Sequence, residues 1–206
     1  AIPGDPSSAA FLLVAAAVLP GSSLTIQDVG LNPTRIHFLS VLQRMGADIT
    51  MTVEDDQWEP RGSIRVTASP LRGTAVEAHE VPRLIDELPA LMVASCAAQG
   101  TTVFHGMSEL RVKETDRLHS MTTGLRQLGA QVATSGDAAV TITGGPLRGG
   151  TVESFGDHRT AMSLAIAGLL ASGQTRIRGA ECVSKSFTNF FEVLGSLAGP
   201  SRVTAA

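Results

Sequence analysis

The sequence predicts an α/β fold built from repeated units, because short motifs recur along the chain with helix and strand patterns in a constant order. The segment Pro-Leu-Arg-Gly at residues 70–73 returns at residues 146–149, and a second matched pair lies upstream at residues 44–47 and 127–130. The period of about 75 residues divides the 206-residue chain into two full units and a third that stops early. We expect one domain, with units near residues 5–78, 79–148 and 149–206.

Each unit begins with a helix that is apolar nearly all round, which is typical of a helix buried on several sides. These helices are predicted over residues 8–19, 84–98 and 159–171. A glycine ends each helix, and a short alternating strand follows, for example at residues 102–104 and 175–177. The matched glycines are Gly21, Gly100 and Gly173.

A second, amphipathic helix follows in each unit, and two short strands close the full units. The amphipathic helices are predicted over residues 35–45, 115–128 and 188–197. The closing strands of the second unit are predicted at residues 131–134 and 139–143. The segments 61–82 and 144–156 are rich in Gly, Pro and Arg, so they are predicted to be loops and edges.

The third unit has its two helices and the strand between them, but only a short tail follows Leu197. Its closing strands are therefore expected to be absent or supplied from elsewhere, which leaves an open sheet edge or an apolar groove. We expect the chain to dimerise, or its tail at residues 200–206 to fold over the gap. In the second case Val203 and Thr204 are able to add a short strand.

Composition excludes several classes of function. A net charge of −3 and a pI near 5.9 argue against nucleic acid as a partner, because nucleic-acid binders carry a basic excess. The apolar run at residues 9–18 is too short to span a bilayer and no basic region precedes it, so we expect a cytoplasmic protein without a membrane partner. Two cysteines do not form a disulfide framework, and Cys96 is expected to be buried.

The most informative charged cluster lies where a strand leads into a helix. Lys113 and Arg117 are four residues apart and Glu114 precedes Arg117 by three, so on a helix these side chains share one face. A helix N-terminus favours anions, and two cations there predict an anion site with Glu114 beside it to move a proton. The alternative is an ordinary ion pair at a solvated helix start.

Other helix starts carry similar groups. Asp157 is an ordinary N-cap, but His158 and Arg159 in the first turn oppose the helix dipole, a conflict that an anionic ligand would remove. Lys185 stands between two serines at another strand-to-helix junction, and Asp86 begins an apolar helix. Capping and solvated surface groups are the plain alternatives for both. Because equivalent junctions of repeated units point to one end of a domain, we expect the clusters to converge.

No motif competes with these clusters. The sequence contains no Gly-x-Gly-x-x-Gly, no phosphate-binding Gly-Lys-Ser/Thr loop, and no Cys/His spacing typical of zinc, since its histidines are scattered.

At this point the clusters resemble a known family. The segments 111–117 (Arg-Val-Lys-Glu-Thr-Asp-Arg), 157–159 (Asp-His-Arg) and 184–187 (Ser-Lys-Ser-Phe) are similar to signature segments of EPSP synthase, as is Gly-Asp-Pro-Ser-Ser-Ala at residues 4–9. The resemblance covers nearly the whole chain. It implies an enolpyruvyl transferase that joins phosphoenolpyruvate to shikimate 3-phosphate and releases phosphate, without metal or cofactor, and that glyphosate is a possible inhibitor.

The resemblance also implies an architecture. The family has two domains, each made of βαβαββ-type units around a pseudo-threefold axis, with the substrates between the domains. The chain resembles the C-terminal part, so the second domain and an N-terminal segment that completes the third unit are expected to be missing. On that basis the isolated chain is expected to have negligible activity.

Roles follow from the resemblance position by position. Asp86 resembles the carboxylate that takes the proton of the shikimate 5-hydroxyl, and Glu114 resembles the acid and base at the methylene carbon of phosphoenolpyruvate. Arg117 and Arg159 resemble the pair that grips the phosphoenolpyruvate carboxylate. The remaining residues carried over are Lys113 beside both substrates, Asp157 and His158 on the phosphoenolpyruvate side, and Lys185 as a catalytic cation.

One departure and two alternatives remain. Many family members have Asn and Trp where this chain has Glu109 and Leu110, which puts the contact of that Asn with shikimate in doubt. The nearest alternative function is a sister enolpyruvyl transferase that acts on a UDP-amino sugar. An alternative of another class is a noncatalytic α/β domain that binds an anion.

Overall fold

A computed structural model describes residues 2–136, 138–199 and 201–204. The helices are α1 (Pro6–Val18), α2 (His37–Arg44), α3 (Leu88–Ala97), α4 (Arg117–Gln127), α5 (His158–Leu170) and α6 (Phe190–Ala198). The strands are β1 (Ser23–Gly30), β2 (Asp48–Asp55), β3 (Arg61–Thr67), β4 (Ala75–Val76), β5 (Thr101–His105), β6 (Gln131–Ser135), β7 (Ala139–Thr143), β8 (Thr151–Glu153) and β9 (Arg176–Arg178). The mixture of helices and strands confirms the α/β class.

The sheets repeat one order of strand pairing. The most complete sheet has the order β4-β5-β7-β6, in which β4 and β5 are parallel and the other pairs are antiparallel. The sheet β1-β3-β2 has the same order, with a single parallel bridge between Gly4 and Val29 in the place of β4. In the third unit β8 and β9 form the parallel pair. These sheets agree with the repeat read from the sequence, and the pseudo-threefold axis stays a prediction.

The first helices of the three units form the centre of the molecule. Helices α1, α3 and α5 pack on one another, and almost every residue of α1 and α3 is buried. Alanine is frequent in all three helices, and its small side chain permits close approach. This contact explains why the helices are apolar all round. It also brings their N-terminal ends, each preceded by an acidic residue, into one region.

The repeated Pro-Leu-Arg-Gly segments occupy equivalent crossings of the chain. The amide of Gly73 donates to the carbonyl of Gln99 at 2.8 Å, and the amide of Gly149 donates to that of Ser172 at 2.7 Å. A Cβ atom at Gly73 would lie 2.2 Å from the Thr101 carbonyl oxygen, and one at Gly149 would lie 2.2 Å from that of Gln174. Both crossings therefore require glycine.

Some predicted element boundaries were wrong. The segment 61–82 was predicted to contain loops and edges, but Arg61–Thr67 is the central strand of its sheet, with Ile64 and Val66 fully buried. The segment 144–156 likewise contains β8. The glycine and arginine residues of segment 61–82 masked the alternating apolar pattern of β3, in which every second residue faces the core. Helix α3 begins at Leu88, four residues later than predicted, because residues 84–87 form a turn.

The tail folds back on the helices and does not form a strand. Residues 201–204 form a turn and coil, the Arg202 guanidinium donates to the Leu169 carbonyl at 3.1 Å, and Val203 packs against the core. The predicted strand at Val203 and Thr204 is therefore wrong, and Pro200, Ala205 and Ala206 lie outside the described residues. A groove of about 340 Å³ remains beside this turn, lined by residues that include Leu12, Leu24 and Leu194.

Two further expectations concern single features. Cys96 and Cys182 are free and buried, as expected for Cys96. Within the described part of the chain, no helix combines the length and the apolar character needed to cross a membrane.

Candidate active site

Asp157 joins the start of α5 to the rest of the site. As the N-cap it accepts hydrogen bonds from the amides of Arg159 at 2.8 Å and Thr160 at 3.3 Å through one oxygen. Its other oxygen accepts from Arg117 Nε at 2.8 Å and from the Thr115 hydroxyl at 3.4 Å. Burial works to raise the pKa of Asp157, but the hydrogen bonds and charge of Arg117 hold it below its usual value. The Asp157 carboxylate is therefore ionised, caps α5, and accepts two hydrogen bonds through each of its oxygens.

Arg117 is the centre of the cluster, and its side chain is completely buried. Its Nε atom binds Asp157, one terminal nitrogen binds Glu114, and the other lies 3.5 Å from the Asp86 carboxylate. These three carboxylates come from the start of α5, the segment before α4 and the turn before α3. A buried cation is tolerated where carboxylates pair with it, and here three segments of the chain each provide one carboxylate to Arg117.

Arg159 is the second cation of the site. One terminal nitrogen lies 3.2 Å from the Asp86 carboxylate, and the other donates to the Asp86 main-chain carbonyl at 3.2 Å. Nε of Arg159 is buried without a hydrogen-bond acceptor among the described residues, and Nη1 of Arg117 has only the longer ion-pair contact with Asp86 at 3.5 Å. Buried donors are seldom left in this state. Two neighbouring guanidinium groups with incompletely satisfied donors are a candidate place for an anionic ligand.

Two of the plain alternatives fail on geometry. The helix-capping interpretation of Asp86 is wrong, because α3 begins at Leu88 and Asp86 lies in the preceding turn, bound to both arginines. The solvated helix start is also wrong for Arg117, which is buried. The helical spacing of Lys113 and Arg117 was wrong as well. Asp116 caps α4 by accepting from the His119 amide at 2.8 Å, so Lys113 and Glu114 lie outside the helix.

The other predicted site residues lie around this network. His158 is half-buried, and its pKa is lowered by burial and by the charge of Arg159, while Asp157 and Glu114 act in the opposite sense. Lys113 is half-buried and Lys185 is exposed, and neither makes an ion pair with a described residue. The structure therefore brings together Asp86, Glu114, Arg117, Asp157 and Arg159. It leaves Lys113 and Lys185 as unpaired cations outside that network.

The segment 184–186 does not begin a helix. Lys185 is the last residue of a 3-10 turn, Ala180–Lys185, and α6 starts at Phe190. The Ser184 hydroxyl donates to the Glu181 carbonyl at 2.8 Å, which fastens it within this turn. The helix start predicted at this junction is therefore wrong, and the anion-binding role of Lys185 stays a prediction.

A second polar group adjoins the site and was missed from the sequence. The Ser7 hydroxyl donates to Glu87 at 2.5 Å, and one Arg35 nitrogen donates to both the Ser7 oxygen and Asp5 at 3.1 Å. Burial raises the pKa of Glu87 to about 7. One signal was available, since the run Arg-Ile-His that begins at Arg35 matches Arg-Leu-His at residues 117–119.

The donor set suits an organic anion. Across the residues that the structure describes, no group of His, Cys, Asp and Glu is arranged to hold a metal ion. The cluster combines two arginines that have free donors with carboxylates that are able to move protons. Fold and site together define an α/β domain in which two arginines and three carboxylates meet beside the central helices.

Comparison with known proteins identifies the family. The family model described as EPSP synthase (3-phosphoshikimate 1-carboxyvinyltransferase) matches residues 1–194. The chain belongs to the EPSP synthase family, which confirms the resemblance seen in its sequence.

Relatives and solved structures agree. The chain is 50% identical to the 3-phosphoshikimate 1-carboxyvinyltransferase of Desulforamulus reducens over 94% of its own length and 45% of the relative. It is 52% identical to that of Xylella fastidiosa over 96% of the chain and 43% of the relative. The EPSP synthase structure from Acinetobacter baumannii superposes with a TM-score of 0.90 at 40% identity, over 95% of this chain and 46% of that one. The chain thus spans about half the length of the relatives it matches.

Proposed function

We propose that the chain forms one side of the active site of a 3-phosphoshikimate 1-carboxyvinyltransferase. This enzyme transfers the enolpyruvyl group of phosphoenolpyruvate to the 5-hydroxyl of shikimate 3-phosphate and releases phosphate. The observation that carries the proposal is the buried Arg117, paired with Asp86, Glu114 and Asp157 and adjoined through Asp86 by Arg159. The activity by which the relatives are named gives the reaction, and the geometry provides groups suited to it.

The two arginines bind the carboxylate of phosphoenolpyruvate. Arg117 and Arg159 are fixed by their bonds to Asp157 and Asp86, so their orientation costs little on binding. Their free N–H groups match the planar, two-oxygen geometry of a carboxylate, which a lysine ammonium does not. Asp157 takes part indirectly, since it holds Arg117 and the first turn of α5 together.

The two half-exposed carboxylates move the protons. In the addition step Asp86 takes the 5-hydroxyl proton as that oxygen bonds to C2 of phosphoenolpyruvate, and Glu114 gives a proton to C3. In the elimination step Glu114 removes a proton from C3, the C2–C3 double bond forms again, and the C2–O bond to phosphate breaks. Both carboxylates are accessible, with side chains 39% and 52% exposed, so a substrate is able to reach them.

The unpaired cations serve the phosphate groups. Lys113 and Lys185 have no carboxylate partner among the described residues, so their ammonium groups are available to the substrates and to the departing phosphate. His158 lies within electrostatic range of Glu114 and Arg117, on the phosphoenolpyruvate side of the site. These roles rest on the family resemblance together with the absence of a competing ion pair.

The remaining substrate contacts come from the part of the relatives' length that this chain does not cover. The chain holds no cluster assigned to the shikimate phosphate, so we place that contact in a second domain facing this one. The N-terminal segment that completes the third unit is part of the same proposal, and glyphosate is proposed as an inhibitor that competes at the phosphoenolpyruvate site. The cytoplasmic location stays a prediction.

A chimera tests the function. The chain replaces the matching part of the Desulforamulus reducens relative, and phosphate release is measured with both substrates. We expect turnover by the chimera, negligible turnover by the isolated chain, and a loss of at least about 100-fold in Asp86→Asn and Glu114→Gln. Asp56→Asn and Glu59→Gln are matched controls, because both residues are exposed.

The outcomes separate the alternatives. A folded chimera that binds phosphoenolpyruvate without turnover would favour the noncatalytic anion-binding domain. Turnover with a UDP-amino sugar in place of shikimate 3-phosphate would favour the sister transferase. The enolpyruvyl transferase NikO of Streptomyces tendae superposes with a TM-score of 0.74 at 21% identity, which shows a shared fold alone. Full turnover by Glu114→Gln would contradict the assigned roles.

A further inference from the structure

Glu87 lies directly beside Asp86, yet its environment is different. Asp86 is accessible at the site, whereas Glu87 is only 4% exposed. Glu87 occupies the N-cap position of α3 but makes no side-chain cap hydrogen bond. Its carboxyl group instead points to α1 of the first unit, where it accepts from the Ser7 hydroxyl.

The direction of this hydrogen bond follows from its neighbours. The Arg35 guanidinium has only donors and lies 3.1 Å from the Ser7 oxygen, so that oxygen accepts from Arg35. The Ser7 hydroxyl group is then available to donate its hydrogen bond to Glu87. Arg35 is itself held by Asp5, the N-cap of α1. The two hydrogen bonds therefore run in one direction: Arg35 donates to Ser7, and Ser7 donates to Glu87.

The turn that carries Asp86 is held from both sides. On one side, Arg159 of α5 binds both the main-chain carbonyl and the carboxylate of Asp86. On the other side, Ser7 of α1 binds Glu87. The main chain of this turn is closed by hydrogen bonds from the amides of Glu87 and Leu88 to the Leu84 carbonyl, both at 2.8 Å. The contacts of Asp86 and Glu87 with the neighbouring helices then fix the direction of the Asp86 side chain.

We propose that Glu87 is a positioning residue whose hydrogen bond to Ser7 fixes the turn that aims Asp86 at Arg117 and Arg159. The proposal rests on the proposed function, because it gives Asp86 its place as the base. It adds a residue on α1 and a residue on the turn that the family resemblance did not assign.

Protonation supports this role. Burial and the neighbouring charge of Asp86 raise the pKa of Glu87, the Ser7 bond and the charges of Arg159 and Arg35 lower it, and the balance is about 7. Below that pH Glu87 is neutral, so it does not compete with Asp86 for the charge of Arg159. Above it a second negative charge stands beside Asp86, repels it and competes for Arg159. The ionised Glu87 also accepts the Ser7 hydrogen bond more strongly, so the surroundings of Asp86 and Arg159 change with the charge of Glu87 near pH 7.

The test uses the 206-residue chain and nuclear magnetic resonance. The Asp86 carboxyl carbon and the Arg159 Nε nitrogen are followed from about pH 5 to 9, spanning the ordinary and raised pKa values of a carboxyl group. Both signals should shift in the wild type with a midpoint near 7. Glu87→Gln, which keeps an acceptor for Ser7 without ionising, should remove this step and retain the low-pH signals throughout.

Ser7→Ala gives an independent arm. Losing the Ser7 donor should move the step to higher pH, because that hydrogen bond lowers the pKa of Glu87. Phosphoenolpyruvate affinity at about pH 8 should rise by about fivefold in Glu87→Gln, since one negative charge near the anion site is removed. Ser108→Ala and Glu59→Gln, at exposed positions, should match the wild type throughout.

Two results would overturn the proposal. One is a wild-type titration step near pH 7 that persists in Glu87→Gln. The other is a set of Asp86 and Arg159 signals that neither variant changes. Failure of the chimera to bind phosphoenolpyruvate would count against the proposed function, whereas the signals of Asp86 and Arg159 test the positioning role separately. If Glu87→Gln does not fold, the direction of the shift in Ser7→Ala decides.

Discussion

Glu80 provides a stability prediction outside the candidate site. It precedes the 3-10 turn Val81–Arg83 and is only 6% exposed. Its carboxylate accepts from Arg44 at 2.8 and 3.0 Å, from His37 at 2.8 Å and from the Glu77 amide at 3.0 Å. These bonds tie α2 of the first unit to the turn that leads into the second, so Glu80→Gln should weaken the contact between units.

The magnitude follows from the pKa of Glu80. Burial works to raise it, but the hydrogen bonds from Arg44, the Glu77 amide and His37 lower it from 4.5 to about 2. A shift of that size corresponds to about 3 kcal/mol of unfolding free energy, at about 1.4 kcal/mol per pKa unit. Because glutamine retains one acceptor, we expect Glu80→Gln to lower the unfolding free energy by about 2–3 kcal/mol at neutral pH.

The sign of the pH dependence is fixed. A carboxylate with a depressed folded-state pKa stabilises the protein above its unfolded value of 4.5, and this contribution is lost as the pH falls toward about 2. Urea unfolding followed by circular dichroism at several pH values should show a constant difference between wild type and Glu80→Gln above pH 4.5. Below that pH the difference should shrink by up to about 1.4 kcal/mol per pH unit.

The control is Glu59→Gln, since Glu59 is exposed, and it should track the wild type at every pH. A difference for Glu80→Gln that stays the same from neutral to acid pH would refute the electrostatic reasoning. A difference below about 0.5 kcal/mol at neutral pH would show that the contact is no stronger than a surface ion pair.

Three further predictions concern the crossings and the site. Gly73→Ala should lower the unfolding free energy by about 3 kcal/mol or more, because its Cβ would meet backbone at 2.2 Å, whereas Gly145→Ala has open space and should be neutral in urea unfolding. Asp157→Asn should cost about 3–5 kcal/mol by leaving the buried Arg117 short of a counter-charge, with Asp56→Asn as control, and equal midpoints in thermal unfolding would contradict this. Arg159→Lys should reduce phosphoenolpyruvate affinity about tenfold by calorimetry, and an unchanged affinity would remove Arg159 from the anion site.

The central helices could be predicted from local sequence. Because they are buried on all sides, their residues are apolar all round, and this pattern is visible without knowing which helices pack against them. Local sequence also located Asp86, Glu114, Arg117 and Arg159, since these residues stand at junctions that the repeat makes equivalent. The ion pairs of Arg117 with Asp86 and Glu114 and of Arg159 with Asp86 bring these four residues together. Lys185 was expected to converge with them, but it lies outside that network.

Other features depended on contacts between distant segments. The start of α3 moved to Leu88 because Asp86 and Glu87 are held by other helices and do not cap their own. The Ser7–Glu87 bond joins residues 80 positions apart, so no local pattern reveals it. Strand β3 was missed for a related reason, since its neighbours β1 and β2 decide which of its side chains are covered.

Three bonds of the site join one unit to another. Arg117 of the second unit holds Asp157 of the third, Arg159 of the third holds Asp86 of the second, and Ser7 of the first holds Glu87 of the second. A chain whose sheets have formed but whose central helices are still apart has no such site. Ligand binding is therefore thermodynamically linked to the docking of the units, and an anion bound there should protect amides from hydrogen exchange in all three central helices together.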